Sequence, residues 1–131
     1  MLFVFSLLKY SVKINVNLDN GVYVFDNESA TGKSRLYSLV KKYSAYGEPV
    51  AGYTFEDFCR GLDITAVLNP KKFALVVLDR LDMYSNRSIL SLIEKSAHDC
   101  IILVDCKNDF QVNIDYDWCY INMTANAIEV S

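Results

Sequence analysis

Apolar Val12, Ile14, Val16 and Leu18 alternate with Lys13, Asn15 and Asn17, a period of two that predicts a half-buried strand. The stretch before it, residues 2–8, is almost wholly apolar and reads as an edge strand. Asp19-Asn20-Gly21 then predicts a hairpin turn, because Asn and Gly tolerate positive φ. Residues 22–25 are apolar without alternation, as in a central strand covered on both faces. A loop over 26–31 leads to a helix over 32–43, whose apolar stripe is Leu36, Leu39 and Val40. Gly47-Glu48-Pro49 breaks the chain, and residues 50–53 form a short strand. Thr54 is positioned to cap a helix over 55–68, with Asp57 three residues on giving an imperfect capping box. Residues 73–78 make an all-apolar strand ending in Asp79. Ser85 or Asn86 starts a helix carrying Ile89, Leu90, Leu92 and Ile93. Residues 101–104 form another buried strand, again ending in an acid, Asp105. The last strand is placed over 118–123, paired with 127–130.

Strands alternating with helices point to βαβ units around a largely parallel sheet. The expected fold is an α/β three-layer sandwich with a mainly parallel sheet and an N-terminal antiparallel hairpin, one domain over residues 1–131. Ligands on such sheets bind at the carboxyl ends of the strands. Here those ends carry Asp26, Asp79 and Asp105.

Between the strand at 22–25 and the following helix stands Asn27-Glu28-Ser29-Ala30-Thr31-Gly32-Lys33-Ser34. It satisfies the phosphate-binding pattern GxxxxGK[ST] except at its first glycine, replaced by Asn27. Asn is the commonest non-glycine residue at positive φ, so the turn is compatible with it. Glu28 places a carboxylate near the cradle, which must point to solvent if polyphosphate is to bind. The chemistry assigns Asn27, Ser29, Ala30, Thr31, Gly32, Lys33 and Ser34 to a nucleotide. Backbone N–H groups at the helix start wrap phosphate. Lys33 reaches the outer phosphates, and the Ser34 hydroxyl is a ligand for Mg²⁺. The strand at 73–78 supplies the second metal residue, Asp79.

With those residues in place, the chain resembles a P-loop NTPase of the division that holds the ABC-type and AAA-type ATPases, the additional-strand division. The alternating strand, the Asn20-Gly21 turn and the strand before the loop resemble ABC-like heads. The stretch Val50-Ala51-Gly52-Tyr53-Thr54-Phe55-Glu56-Asp57-Phe58 resembles replication-initiator and helicase-loader AAA cores. The resemblance covers residues 11–106, and it implies ATP or GTP with Mg²⁺ as cofactors. It also implies a sensor strand at 101–105, with Asp105 or Lys107 near the γ-phosphate. Such relatives follow the second acid with a Glu or Asp that orients the attacking water; here that position is Arg80. Asp82 and Asp105 remain as catalytic candidates. The ABC signature insertion does not fit into residues 35–72, and no helical lid is expected after the last strand. The pattern therefore supports binding better than turnover.

Composition narrows the alternatives. The 131 residues carry 13 basic and 16 acidic side chains, a net charge of −3, so charge gives no support for nucleic acid. Lys41 with Lys42, and Lys71 with Lys72, read as solvated pairs. Four cysteines, Cys59, Cys100, Cys106 and Cys119, form no CxxC pair, and His98 is the single histidine, so a zinc cluster is not expected. The cysteines read as reduced residues of a cytoplasmic protein, three of them in or beside apolar runs. No apolar run approaches the roughly 20 residues that span a bilayer, so no membrane association is expected. Asp109, Asp115 and Asp117 lack the spacing and closing Glu of a calcium loop. His98-Asp99-Cys100 reads as a polar turn rather than a catalytic dyad.

The leading expectation is thus a nucleotide-binding protein whose hydrolysis is slow or needs a protein partner. The alternative is a catalytically degenerate P-loop fold that acts as a protein-binding regulator or inhibitor, of the kind a phage or mobile element encodes. A small phosphotransferase fits less well, for want of a lid or an acceptor-site pattern.

Overall fold

The computed structural model describes the backbone of all residues except 1, 8, 9, 27–29, 107–112 and 125. Side chains are described except those of 1–12, 27–32, 107–112 and 125. The strands are β1 (Leu2–Leu7), β2 (Tyr10–Asn17), β3 (Gly21–Phe25), β4 (Val50–Tyr53), β5 (Leu75–Leu78), β6 (Ile101–Val104), β7 (Asp117–Cys119), β8 (Ile121–Met123) and β9 (Ala127–Val130). The α-helices are α1 (Ala30–Ala45), α2 (Phe55–Cys59) and α3 (Arg87–Ser96), with short 3₁₀ turns at Ile64–Ala66 and Leu81–Met83.

Five strands in the order β4-β5-β6-β3-β7 form one sheet, and every pairing in it is parallel. All four residues of β4, of β5 and of β6 are buried, which explains why these runs are apolar without alternation. Alternate residues of each strand enter two different cores. Val50, Leu75, Val77, Ile101, Leu103 and Phe25 pack with Leu36, Leu39, Val40 and Tyr43 of α1. Ala51, Tyr53, Val76, Leu78, Ile102, Val104, Val22 and Val24 pack with Ile93 and Ala97 at α3. The sheet therefore lies between α1 and α3, and the expected α/β layering is present.

A second sheet, β1-β2-β9-β8, sits on the α1 side. It adds Ile14, Val16, Ile128 and Val130 to that core. β1 and β2 form an antiparallel hairpin, with β1 at the sheet edge as expected. β2 pairs in parallel with β9, Ile14 opposite Ile128 and Val16 opposite Val130.

Three local expectations need correction. Asp19-Asn20-Gly21 does not close a hairpin between β2 and β3, because those strands belong to different sheets. The turn is a crossing: Gly21 N–H donates to the Cys100 carbonyl at 3.1 Å, which docks β3 beside β6 instead. The helix after Thr54 stops at Cys59 rather than reaching 68. Gly61 has φ +79, and Asp63 caps the 3₁₀ turn by accepting from Thr65 N–H. Ile64 and Leu68 keep helical spacing, yet they reach the core from that turn. Finally, the strand expected over 118–123 is two strands in two sheets, divided at Tyr120, whose backbone pairs with Ser131.

Gly52 faces α1, and a Cβ built there would stand 2.9 Å from Tyr37 Cε2. The Tyr37 ring is pinned through its hydroxyl to Asp57, so it cannot swing aside freely. Gly52→Ala is expected to destabilise the fold by about 1–3 kcal/mol in urea titration. Cys100, Cys106 and Cys119 are buried and Cys59 is exposed, all four as free thiols. Burial pushes the Cys100 thiol up to about 11, and those of Cys106 and Cys119 to about 12. A disulfide reagent at pH 8 should therefore titrate Cys59 rapidly and the other three only after denaturation.

Candidate functional site

The three acids at the strand ends continue the sheet ladder by one rung. Asp79 N–H donates to the Tyr53 carbonyl at 2.9 Å, and Asp105 N–H to the Leu78 carbonyl at 2.9 Å. Asp26 N–H donates to the Cys119 carbonyl at 3.1 Å. Each acid is thus fixed by the neighbouring strand before its side chain makes any contact. A further bond, Leu81 N–H to the Asp105 carbonyl at 2.8 Å, ties the turn after β5 to the end of β6.

Lys33 lies in the first turns of α1 and reaches across to β6. Its Nζ stands 2.9 Å from Asp105 Oδ1, and the two side chains are 16% and 14% exposed. That shielding separates the pair from ordinary surface salt bridges, which water weakens. Asp79 faces the same carboxylate. Burial raises the Asp79 pKa first, then the charge of Asp105 and the hydrogen bond between them, with Arg80 and Lys33 opposing. Tyr84, buried beneath, donates to the Asp79 carbonyl at 2.9 Å and packs edge-on against Tyr53 at 5.2 Å.

Arg80 takes the left-handed conformation, φ 52, at a cost of about 1–3 kcal/mol for a residue with a Cβ. Its guanidinium grips Asp82 with two bonds, Nε to Oδ1 at 3.1 Å and Nη2 to Oδ2 at 3.0 Å. Asp82, a catalytic candidate from the sequence, is therefore committed to Arg80 rather than turned towards Asp79 and Lys33.

The other expected site residues divide by position. Asn27 and Ser29, with Glu28, lie outside the described residues, as does Lys107. Ala30, Thr31 and Gly32 form the first turn of α1, where backbone N–H groups lack intrahelical acceptors. Ser34 follows Lys33 in that helix and is exposed. The structure brings together Lys33, Asp79 and Asp105. His98, left as a turn residue by the sequence, is exposed at the far end of the sheet, its carbonyl accepting from Asn20 at 3.4 Å. Among the described residues no group of three or more His, Cys, Asp or Glu side chains could hold a metal ion.

Beside this cluster is a network that the sequence reading missed. Asp57 accepts at one carboxylate oxygen from Lys41 at 2.9 Å, Thr54 N–H at 3.0 Å and the Tyr37 hydroxyl at 3.3 Å. Thr54 Oγ1 accepts in return from Asp57 N–H at 3.1 Å, which completes the capping box. Lys41 is therefore not simply solvated. The available signal was spacing: Lys33, Tyr37 and Lys41 recur every four residues, which places them on one face of α1. Burial raises the Tyr37 hydroxyl well above its usual value, more than its hydrogen bond with Thr54 offsets.

No family model, curated protein or solved structure matches this chain. Among the described residues, no helix is long and apolar enough to cross a membrane.

Burial works against ionisation of Asp57, but Lys41, the Thr54 amide and Tyr37 outweigh it and hold its pKa below the ordinary 3.8. A depressed carboxylate stabilises the fold above its unfolded pKa, and the effect is lost as pH falls through the folded one. Asp57→Asn should cost about 1–2 kcal/mol at pH 7, allowing for the half-exposed Lys41. The gap from wild type should shrink below pH 3.8, as chemical denaturation across pH would show.

Proposed function

We propose that this chain binds the phosphates of ATP or GTP, with Mg²⁺, at the carboxyl ends of β3, β5 and β6. The observation that carries the reading is the meeting of Lys33 with Asp105 and Asp79. A lysine in the first turns of the helix after β3 converges with acids from the ends of two neighbouring strands. The strand order gives further support, since β6 stands as an additional strand between β3 and β5.

In this reading the N–H groups of Ser29, Ala30, Thr31, Gly32 and Lys33 cradle phosphate, with Asn27 shaping the turn. The Lys33 ammonium binds the outer phosphates. Ser34 and Asp79 supply oxygen donors for Mg²⁺, a hard cation held by one or two protein oxygens and completed by phosphate and water. The ion neutralises charge on the phosphate oxygens. Arg80 occupies the place of a water-orienting acid, and Asp82 is held by it, so hydrolysis is slow or depends on a protein partner.

A second reading, a protein-binding regulator or inhibitor, is favoured by one feature. Phe58 and Leu62 are 46% and 53% exposed beside a groove of about 350 Å³ that Ile64, Ile89 and Leu92 also line. Exposed apolar groups gathered at a groove mark interaction surfaces.

Calorimetry with Mg-ATP and Mg-GTP separates the two readings. Wild type should bind one of them, and Lys33→Ala should weaken binding at least tenfold, about 1.4 kcal/mol or more. No heat of binding by wild type at millimolar nucleotide would leave the regulator reading standing alone.

A further inference from the structure

The pairing of Lys33 with Asp105 has an energetic cause that bears on how the site would be filled. Lys33 sits at the positive end of a 16-residue helix whose first turn contains no acid. A cation there is unfavourable unless an anion lies beside it. The anion comes from Asp105, 72 residues away in the chain, in a contact largely closed to water. Asp79 stands against the same carboxylate, while Arg80 is taken by Asp82. Lys33 is thus the cation paired with Asp105, beside the Asp79 carboxyl.

We propose that Asp105 is an internal competitor for the phosphate site: it holds Lys33 in the nucleotide-free protein, and an entering phosphate must displace it. The inference rests on the phosphate-site reading and adds its regulation. Displacement has a second consequence. Once Lys33 turns to phosphate, Asp105 and Asp79 face each other as like charges without their ammonium. A divalent cation that arrives with the nucleotide relieves this repulsion. Nucleotide without metal leaves it in place. The protein therefore discriminates against metal-free nucleotide through Asp105, a residue that need not touch the ligand.

The test measures affinity for ATP with Mg²⁺ and with excess chelator, by calorimetry on wild type and Asp105→Asn. The variant keeps the size of the side chain and removes the competing charge. It should bind metal-free ATP roughly five- to tenfold more tightly than wild type, at the low end of common coupling strengths. The ratio between its Mg-ATP and metal-free affinities should narrow to match. Equal or weaker binding of metal-free ATP by a folded variant, when both proteins bind Mg-ATP, overturns the competitor role. Circular dichroism establishes folding; if the Asn form does not fold, Asp105→Ser takes its place. Wild type alone gives a check that needs no variant, since an ATP affinity changed less than twofold by Mg²⁺ also overturns the proposal. Failure of both proteins to bind Mg-ATP is a different result, and it removes the phosphate site itself.

Discussion

A parallel strand buried on both faces can carry charge only at its ends. In this protein α1 and the smaller sheet cover one face of the five-stranded sheet, and α3 covers the other. β4, β5 and β6 accordingly contain no Asp, Glu, Lys, Arg or His, and the first residues beyond β5 and β6 are Asp79 and Asp105. Their backbone N–H groups still belong to the ladder, so the carboxylates are delivered to fixed positions. The chemistry of the site follows from this exclusion. Acids driven to one end of the sheet repel each other, and a cation must be supplied from elsewhere.

Lys33 supplies it at a position that a helix would otherwise reject, which links the site to the packing of α1. Leu36, Leu39, Val40 and Tyr43 hold α1 on the sheet, and the Tyr37–Asp57–Lys41 network ties its outer face to the cap of α2. Gly52 removes the one side chain that would keep Tyr37 away from β4. The helix is therefore clamped along its length, and the Lys33–Asp105 contact sits at its free end. Among the described residues, the left-handed non-glycine backbone is that of Arg80, supported by two bonds to Asp82.

The sequence made these features legible to different degrees. Runs such as Leu75–Leu78 and Ile101–Val104 declare buried parallel strands, and an acid after each marks the ligand end. The pair Thr54 and Asp57 declared a helix start, which the structure completes as a full capping box. What failed were questions of partnership. Asn20-Gly21 has the local chemistry of a hairpin, yet the partner of β3 is chosen by burial against β6, not by the turn. Ile64 and Leu68 kept helical spacing beyond Gly61 because they answer to the core, while the backbone answers to the glycine. Tyr120 looked like the middle of a strand because a change of sheet leaves no mark on side-chain polarity. The Asp57 network was hidden for the same reason, since its members come from two elements whose contact is tertiary.

The parallel pairing of β2 with β9 has a consequence for the chain as it is made. β2 gains its second neighbour only when residues 127–130 arrive, more than a hundred positions later. At roughly 5–20 residues per second, ribosomal synthesis leaves that edge open for on the order of ten seconds. During this interval the hairpin β1–β2 has one unsatisfied row of backbone groups and an apolar face carrying Ile14 and Val16. The nascent chain is thus open to strand exchange with its neighbours on a polysome. Pairing of β9 with β2 closes that edge and adds Ile128 and Val130 to the core over α1.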